Sequence, residues 1–164
     1  MRVAGGRWAQ VVGAAAVAFT VCAGALATTQ AQEPAAGLPA EALSAKAGIW
    51  TGVYTEDQAK RGEIVSNKLC VSCHGPDLSG GEAGPALVGL EFIGNWSALS
   101  VGDLFARVQA SMPADAPGTL TQQQTADLAA YVLKLNKYPA GKTELPTDLA
   151  ALQHIIIEGQ PPAK

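Results

Sequence analysis

The segment Cys70-Val71-Ser72-Cys73-His74 constrains this chain more than any other. Two cysteines separated by two residues and followed at once by histidine form the pattern by which a c-type haem is attached. Each thiol can add across one vinyl group of the porphyrin, and one helical turn between the cysteines spans the two vinyls. The adjacent imidazole then falls beneath the ring, where it can bind iron. The pattern therefore predicts one covalently bound haem c, held by Cys70 and Cys73, with His74 as an iron ligand.

A Cys-x-x-Cys pair also occurs in zinc sites, redox enzymes and disulfides, and these alternatives fit the sequence less well. A structural zinc ion requires four ligands, and beyond residue 31 the chain offers only Cys70, Cys73, His74 and the distant His154. A thioredoxin-like redox pair belongs in a βαβ unit and follows a strand, whereas a helical pattern precedes Cys70. A structural disulfide would leave His74 unexplained. The adjacent histidine thus favours haem attachment over the three alternatives.

The first 31 residues have the pattern of a secretory signal peptide. Arg2 and Arg7 give a basic start, residues 11–27 are apolar and uncharged, and small residues follow. This order is typical of a leader that is cleaved, here near residues 27–31. We therefore expect export to the periplasm. The alternative is an uncleaved membrane anchor, because the apolar stretch is close to the shortest length that spans a bilayer.

The charge of the chain argues against nucleic acid as a partner. The chain has 11 basic and 14 acidic residues, and its formal net charge is −3. Cleavage of the leader would remove Arg2 and Arg7 and no acid, which makes the exported chain more acidic still. Nucleic-acid binding requires basic patches, whereas an acidic surface suits a basic docking face on a protein partner.

Composition and periodicity divide the rest of the chain into three parts. Residues 32–48 are rich in Ala and Pro without a sustained apolar period, which indicates a linker. Residues 49–140 predict one compact domain. Residues 141–164 form a tail, and we expect the apolar run Ile155-Ile156-Ile157 to pack back on the domain.

Helical spacing and capping residues predict the main elements of the domain. Three segments combine apolar residues at intervals of three and four with an N-capping residue. They are residues 55–69, residues 100–110 and residues 121–136. The glycine-rich residues 75–97 predict a loop. Within it Trp96 is either an ordinary core residue or a contact for the edge of the haem.

The iron position opposite His74 is open to several side chains. Met112 is the only methionine besides the first residue, and it lies at a helix end before Pro113. A thioether ligand raises the reduction potential of haem iron and suits electron transfer, although a methionine at a helix end is usually core filler. His154 and the lysines are the alternative ligands. We predict Met112 as the ligand, because no other methionine is available and the Ser-Met-Pro turn falls between the last two predicted helices. A vacant position would instead indicate a haem enzyme or gas sensor.

The order of these motifs resembles that of class I (mitochondrial-type) monohaem cytochromes c. The resemblance covers about residues 54–136. The motifs that carry it are Cys70-x-x-Cys73-His74-Gly75, Gly84-Pro85-x-Leu87-x-Gly89, Met112-Pro113 and Leu128-x-x-Tyr131-x-Leu133. It implies an all-α cytochrome c fold with a few helices wrapped around one haem. It also implies that the Pro85 carbonyl accepts a hydrogen bond from His74 and that Gly62 lies against Tyr131.

Two shorter motifs resemble small bacterial cytochromes that occur with quinoprotein (PQQ) alcohol dehydrogenases. These motifs are Tyr54-Thr55 with Gln58-Ala59-x-x-Gly62, and Asn136-x-x-Pro139-Ala140-Gly141. They imply a one-electron carrier that is not itself an enzyme and accepts electrons from a dehydrogenase. The short connection at Gly80-Gly81 differs from the corresponding part of the mitochondrial cytochromes c, which disfavours a respiratory oxidase as partner. The alternative is a haem subunit held in a dehydrogenase complex. The expected partners are redox proteins, with a membrane only if the leader is retained.

Overall fold

The structure is a computed structural model, and it describes residues 48–160. The predicted signal peptide, the predicted linker up to residue 47 and the last four residues of the predicted tail lie outside the described residues. A 3₁₀ turn at Ile49–Thr51 is followed by the helices α1 (Glu56–Leu69), α2 (Val71–His74), α3 (Gly89–Trp96), α4 (Val101–Ser111), α5 (Gln122–Leu135) and α6 (Leu149–Gln153). None of the helices within this range is long and apolar enough to cross a membrane.

The three longest helices begin at the predicted capping residues. The Thr55 hydroxyl accepts a hydrogen bond from the Gln58 amide at 3.1 Å at the start of α1. Ser100 and Thr121 each form a reciprocal capping box, with Asp103 and Gln124 respectively. Each box satisfies two of the amides that the first turn of a helix leaves without an intrahelical partner. Local side-chain chemistry thus fixes where α1, α4 and α5 begin.

The prediction of a loop over residues 75–97 is wrong in its last third, where the structure has helix α3. Gly89 and Gly94 suggested irregular backbone, but Gly89 stands at the helix start with φ 72°, where a left-handed residue opens the turn. Phe92 is fully buried, and Ile93 and Trp96 are partly buried against the same core. The apolar face that these residues form outweighs the low helix propensity of two glycines.

Helices α1 and α5 cross at a point where only glycine fits. A Cβ atom at Gly62 would lie 1.9 Å from the backbone oxygen of Asp127 and 2.9 Å from Cβ of Tyr131. Real side chains cannot approach so closely, so the two backbones touch at this position. The predicted contact between Gly62 and Tyr131 is confirmed, and it brings the end of α1 alongside α5.

The C-terminal segment is part of the core of the domain. Ile155 and Ile157 are buried, and Leu152 on α6 has no exposed surface. Ser100 and Ile156 pair in an isolated antiparallel bridge, and the residues that the structure describes contain no β-strand. The described part of the chain is therefore all-α, and its tail packs beside the start of α4.

A charged cluster joins α1, α5 and the tail. The Arg61 guanidinium donates hydrogen bonds of 3.0 and 2.9 Å to the nearly buried Asp127 carboxylate. It also donates to both carboxylate oxygens of Glu144, at 3.0 and 2.7 Å. These two carboxylates raise the pKa of Arg61 above its usual range. Bidentate pairs of this kind fix orientation as well as adding attraction.

Candidate functional site

The Cys-x-x-Cys-His segment lies at the junction of α1 and α2. Cys70 is the residue after α1 and donates its amide to the Ser66 carbonyl at 2.8 Å. Helix α2 then places Cys73 at the surface and His74 inside, with 8% of His74 exposed. Both thiols are free, and burial raises the pKa of the Cys70 thiol. The structure therefore does not form the alternative disulfide between them.

One hydrogen bond fixes the orientation of the His74 ring. Nδ1 of His74 lies 2.7 Å from the carbonyl oxygen of Pro85. Because a carbonyl can only accept, Nδ1 carries the proton and donates it, which leaves Nε2 with a free lone pair. A metal-binding histidine is oriented by its second nitrogen in this way. The hydrogen bond that the resemblance implied is thus present.

The loop that carries Pro85 is held on both sides. The Leu87 amide donates to the Leu78 carbonyl at 2.8 Å, and the Asn136 side chain at the end of α5 donates to the Leu87 carbonyl at 2.9 Å. At Gly84 a Cβ atom would lie 2.9 Å from Nδ1 of His74. The backbone can approach the imidazole this closely because residue 84 has no side chain.

A cavity of about 550 Å³ opens beside His74. Its volume is within the range of about 300–1,000 Å³ that is usual for small-molecule and cofactor sites. The cavity is bounded by α1, α2, α4, α5, the loop that carries Pro85 and the loop after α4. Its leucine and valine lining residues, with Ala129 between them on α5, are Leu69, Leu78, Leu87, Leu104, Val108, Leu120, Leu128 and Val132.

The structure brings together five of the six predicted site residues. Cys70, Cys73, His74, Pro85 and Met112 all line the cavity. Met112 has extended backbone, with φ −120° and ψ 149°, at the residue after α4. This geometry is the one expected for a residue before proline. The roles of these residues as haem ligands stay predictions, but their positions around one cavity agree with them.

Trp96 is the predicted site residue that the structure does not bring to the cavity. It lies at the end of α3, and its ring stacks on Phe92 with ring centroids 6.3 Å apart. It is partly buried against the hydrophobic core and is not among the residues that line the cavity. This placement agrees with the interpretation of Trp96 as an ordinary core residue. Its helix, which the sequence did not predict, turns the ring toward Phe92.

The alternative iron ligands differ in their placement. His154 is exposed at the end of α6 and does not line the cavity. Lys68 does line it, from the last turn of α1, with an exposed side chain. Within residues 48–160 no group of three His, Cys, Asp or Glu side chains could hold a metal ion. The described residues thus offer no site for the tetrahedral zinc alternative.

Ser66 is a cavity residue that the sequence motifs did not single out. It is fully buried, and its hydroxyl has no hydrogen-bond partner among the described residues. A buried hydroxyl without a partner costs about 1–3 kcal/mol. The signal that could have found it is spacing, since Gly62, Ser66 and Cys70 recur every four residues and share one face of the helix.

The residues present fit a covalently attached haem. The thiols of Cys70 and Cys73 lie at the edge of an apolar cavity. The cavity is also lined by His74, whose tautomer is fixed by a hydrogen bond, and by the thioether of Met112. Among the residues described, the Ser66 hydroxyl at this cavity has no hydrogen-bond partner. When bound, haem c supplies an iron centre that exchanges one electron. To such a haem the chain would contribute the attachment thiols, the orientation of His74 and the exclusion of water by apolar side chains.

An all-α fold built around this cavity is the fold expected of a cytochrome c domain. Residues 57–132 match the family model described as "Cytochrome C oxidase, cbb3-type, subunit III", a stretch somewhat shorter than half of the chain. The predicted all-α cytochrome c fold is confirmed. The match also supports haem-based electron transfer by a c-type cytochrome.

One solved structure is similar to this chain in part. It is titled "Crystal Structure of the Sulfane Dehydrogenase SoxCD from Paracoccus pantotrophus", and its TM-score is 0.44 at 23% sequence identity. The similarity covers 63% of this chain and 57% of that chain, which is less than two thirds of its length. No curated protein sequence matches this chain.

Proposed function

We propose that the protein is a periplasmic one-electron carrier with a single covalent haem c, bound through Cys70 and Cys73 and ligated by His74 and Met112. The observation that carries this proposal is the position of His74 and Met112 on the lining of one cavity, between α2 and the end of α4. Two protein ligands would leave no iron position for a substrate. That arrangement suits electron transfer, whereas a haem enzyme or gas sensor needs a vacant position.

The optical spectrum of the purified protein tests this proposal most directly. We expect one haem per chain and, in the oxidised protein, the weak red absorption band that is typical of methionine bound to ferric haem. Exogenous imidazole or azide should bind only weakly. A protein without that band, which binds such ligands tightly, would contradict the carrier and favour the enzyme or sensor.

We place the carrier in the periplasm on the pattern of the first 31 residues. Expression with the native leader, followed by cell fractionation and N-terminal sequencing, tests this location. We expect haem-loaded protein in the periplasmic fraction with a new N-terminus near residues 27–31. Recovery of haem-loaded protein in the membrane fraction with Met1 intact would instead support the uncleaved anchor.

As electron donor we propose a quinoprotein alcohol dehydrogenase, on the strength of the two short motifs that begin at Tyr54 and Asn136. The acidic chain should then meet a basic docking face, so that attraction accelerates their encounter at low salt. In stopped-flow mixing, reduction by this dehydrogenase should be faster than by an unrelated quinoprotein and should slow as ionic strength rises. Equal rates with both enzymes would refute the choice of donor and leave the carrier function intact.

A second candidate function is that of a haem subunit within a larger redox complex. Leu90 at the start of α3 is 91% exposed and Ile64 on α1 is 57% exposed, so both side chains are accessible to a partner chain. The matching family model also describes an oxidase subunit. Native purification separates the two: a free carrier elutes as a single chain. A bound subunit co-elutes with other chains, and L90Q should weaken that association.

A further inference from the structure

The loop that carries Met112 is tied to the rest of the domain at few points. It comprises residues 112–121 and connects α4 to α5. Within the described chain, the hydrogen bonds of its central residues are internal. The Ala116 amide donates to the Pro113 carbonyl at 3.0 Å, and the Thr119 hydroxyl donates to the Ala116 carbonyl at 2.8 Å. These bonds shape the loop but do not hold it against the cavity.

Gln109 spans the base of this loop. It lies on α4, and its side-chain amide donates a hydrogen bond of 2.7 Å to the carbonyl of Leu120, near the other end of the loop. Its side-chain oxygen lies 3.0 Å from the hydroxyl of Thr125, a fully buried residue on α5. The same hydroxyl is also 3.0 Å from the Thr121 carbonyl. One side chain on α4 thus contacts both the far end of the loop and the first turn of α5.

The cavity is lined by residues on either side of this contact. Val108 and Met112 face it from the first end of the loop, and the buried Leu120 faces it from the second. Closing a loop at its base removes much of the conformational freedom of the residues within it. The Gln109 contact therefore restrains the distance over which Met112 can move away from the cavity.

We propose that Gln109 is a positioning residue that keeps Met112 at the cavity and so limits access of other ligands to the iron. This inference rests on the proposed function, since it requires Met112 as an iron ligand. An exogenous ligand binds only to molecules in which Met112 has moved away. Its apparent affinity therefore rises with the fraction of such molecules.

The test is an imidazole titration of the oxidised, haem-loaded protein, followed by its absorbance. In Q109L both hydrogen bonds are lost at similar side-chain size. We expect the red methionine band to persist without imidazole and the apparent imidazole affinity to rise about tenfold, equivalent to about 1.4 kcal/mol. T125V removes one of the two bonds and should give a smaller increase.

The control is Gln58, a fully buried glutamine whose side chain, like that of the half-buried Gln109, makes two hydrogen bonds. Its side chain bonds the amide and carbonyl of Leu145 at 2.7 and 3.0 Å, and neither residue lines the cavity. Q58L should lower the free energy of unfolding at least as much as Q109L does and leave the imidazole affinity unchanged. A similar rise in both variants would overturn the proposal, because it would reflect general destabilisation.

The remaining outcomes separate this inference from the proposed function. If the wild type lacks the methionine band, the ligation by Met112 fails, and the role of Gln109 fails with it. If the wild type has the band and Q109L binds imidazole no more tightly, only the role of Gln109 fails. Should Q109L not fold, Q109E retains the acceptor for Thr125 but cannot donate to Leu120. Unchanged imidazole affinity in Q109E would then overturn the proposal.

Discussion

The two sides of the cavity are built in different ways. On the His74 side, both cysteines and the imidazole belong to one five-residue segment, and the imidazole is oriented by Pro85 in the following loop. On the Met112 side, a single cavity residue depends on α4, on a loop and on Gln109, which contacts Leu120 and Thr125. The first side is specified by neighbours in sequence, whereas the second is assembled by tertiary contacts.

This difference predicts that the two sides of the cavity respond unequally when the packing of the domain is weakened. With haem attached as proposed, two thioether bonds and a short helix would hold the His74 side even when distant packing is weakened. The Met112 side has no such local support, because its ligand position is only as fixed as the α4–α5 connection. We therefore expect disturbances of the scaffold to release Met112 before they affect His74, and the following predictions test that order.

The largest effect should come from removing the attachment thiols. In the double variant Cys70→Ala/Cys73→Ala no thioether can form, so acid-organic extraction should release all of the haem and the yield of folded protein should collapse. The matched control is Ser72→Ala, which changes an exposed residue between the two cysteines. Haem that stays with the polypeptide in the double variant would contradict covalent attachment at this segment.

Met112→Ala should have the next largest effect, and only on its own side. We expect complete loss of the red methionine band, a lower reduction potential because the thioether no longer favours ferrous iron, and tight binding of imidazole. Haem should remain covalently attached, since the His74 side is untouched. Absorbance, potentiometry and extraction measure the three properties. An unchanged spectrum would move the ligand assignment to Lys68, the alternative that also lines the cavity.

Gly62→Ala tests the scaffold that both sides share. The added Cβ would overlap the backbone oxygen of Asp127, so the free energy of unfolding should fall by about 3 kcal/mol, at the upper end of overpacking effects. Gly94→Ala in α3 is the control, because a Cβ there meets nothing within 4 Å. It should stabilise the protein by about 0.5–1 kcal/mol. Denaturant unfolding that ranks the two variants in the opposite order would contradict the tight crossing.

Gly84→Ala tests the His74 side alone. Its Cβ would lie 2.9 Å from Nδ1 of His74, so the ring or the loop must shift and the hydrogen bond to Pro85 must lengthen. We expect a loss of about 1–2 kcal/mol in the free energy of unfolding and a changed potential, while the methionine band persists. Gly48→Ala, where a Cβ meets nothing within 4 Å, should alter neither property. Loss of the band in Gly84→Ala would show that the two sides are coupled.

The smallest effect should be a dependence on alkaline pH. The buried Tyr54 hydroxyl donates a hydrogen bond of 2.7 Å to the Tyr138 carbonyl, and burial, together with the charge of Glu56, raises the pKa of Tyr54 to about 12. The pKa of Tyr54 in the folded protein exceeds the unfolded value of 10.0. The contribution of the Tyr54 hydroxyl to stability is therefore complete below pH 10 and is lost as the pH rises to 12. Tyr54→Phe should cost about 1 kcal/mol at neutral pH and show a shallower loss between pH 10 and 12. Identical pH profiles would contradict this assignment.

Prediction from sequence succeeded where residues a few positions apart decide the outcome. Thr55, Ser100 and Thr121 cap helices because their hydroxyls reach amides three residues later, a relation that any chain with these residues can form. Prediction failed over residues 89–96, because the glycines there disfavour a helix locally. Only the burial of Phe92 in the hydrophobic core shows why α3 forms. The sequence left Trp96 open between the core and the haem edge for the same reason, since the direction of its ring depends on that helix.

Neighbouring residues alone specify the Cys-x-x-Cys-His segment and the starts of the main helices, because motif spacing and capping are local. The crossing at Gly62 was implied by the resemblance to known cytochromes. Only contacts made in the folded protein place Met112 at the cavity and His154 outside it. Contacts of the same kind pack Trp96 in the core and let Gln109 bond across the base of the loop after α4. These outcomes depend on contacts between segments far apart in the chain. Such contacts form only when the whole core packs, and no local pattern specifies them.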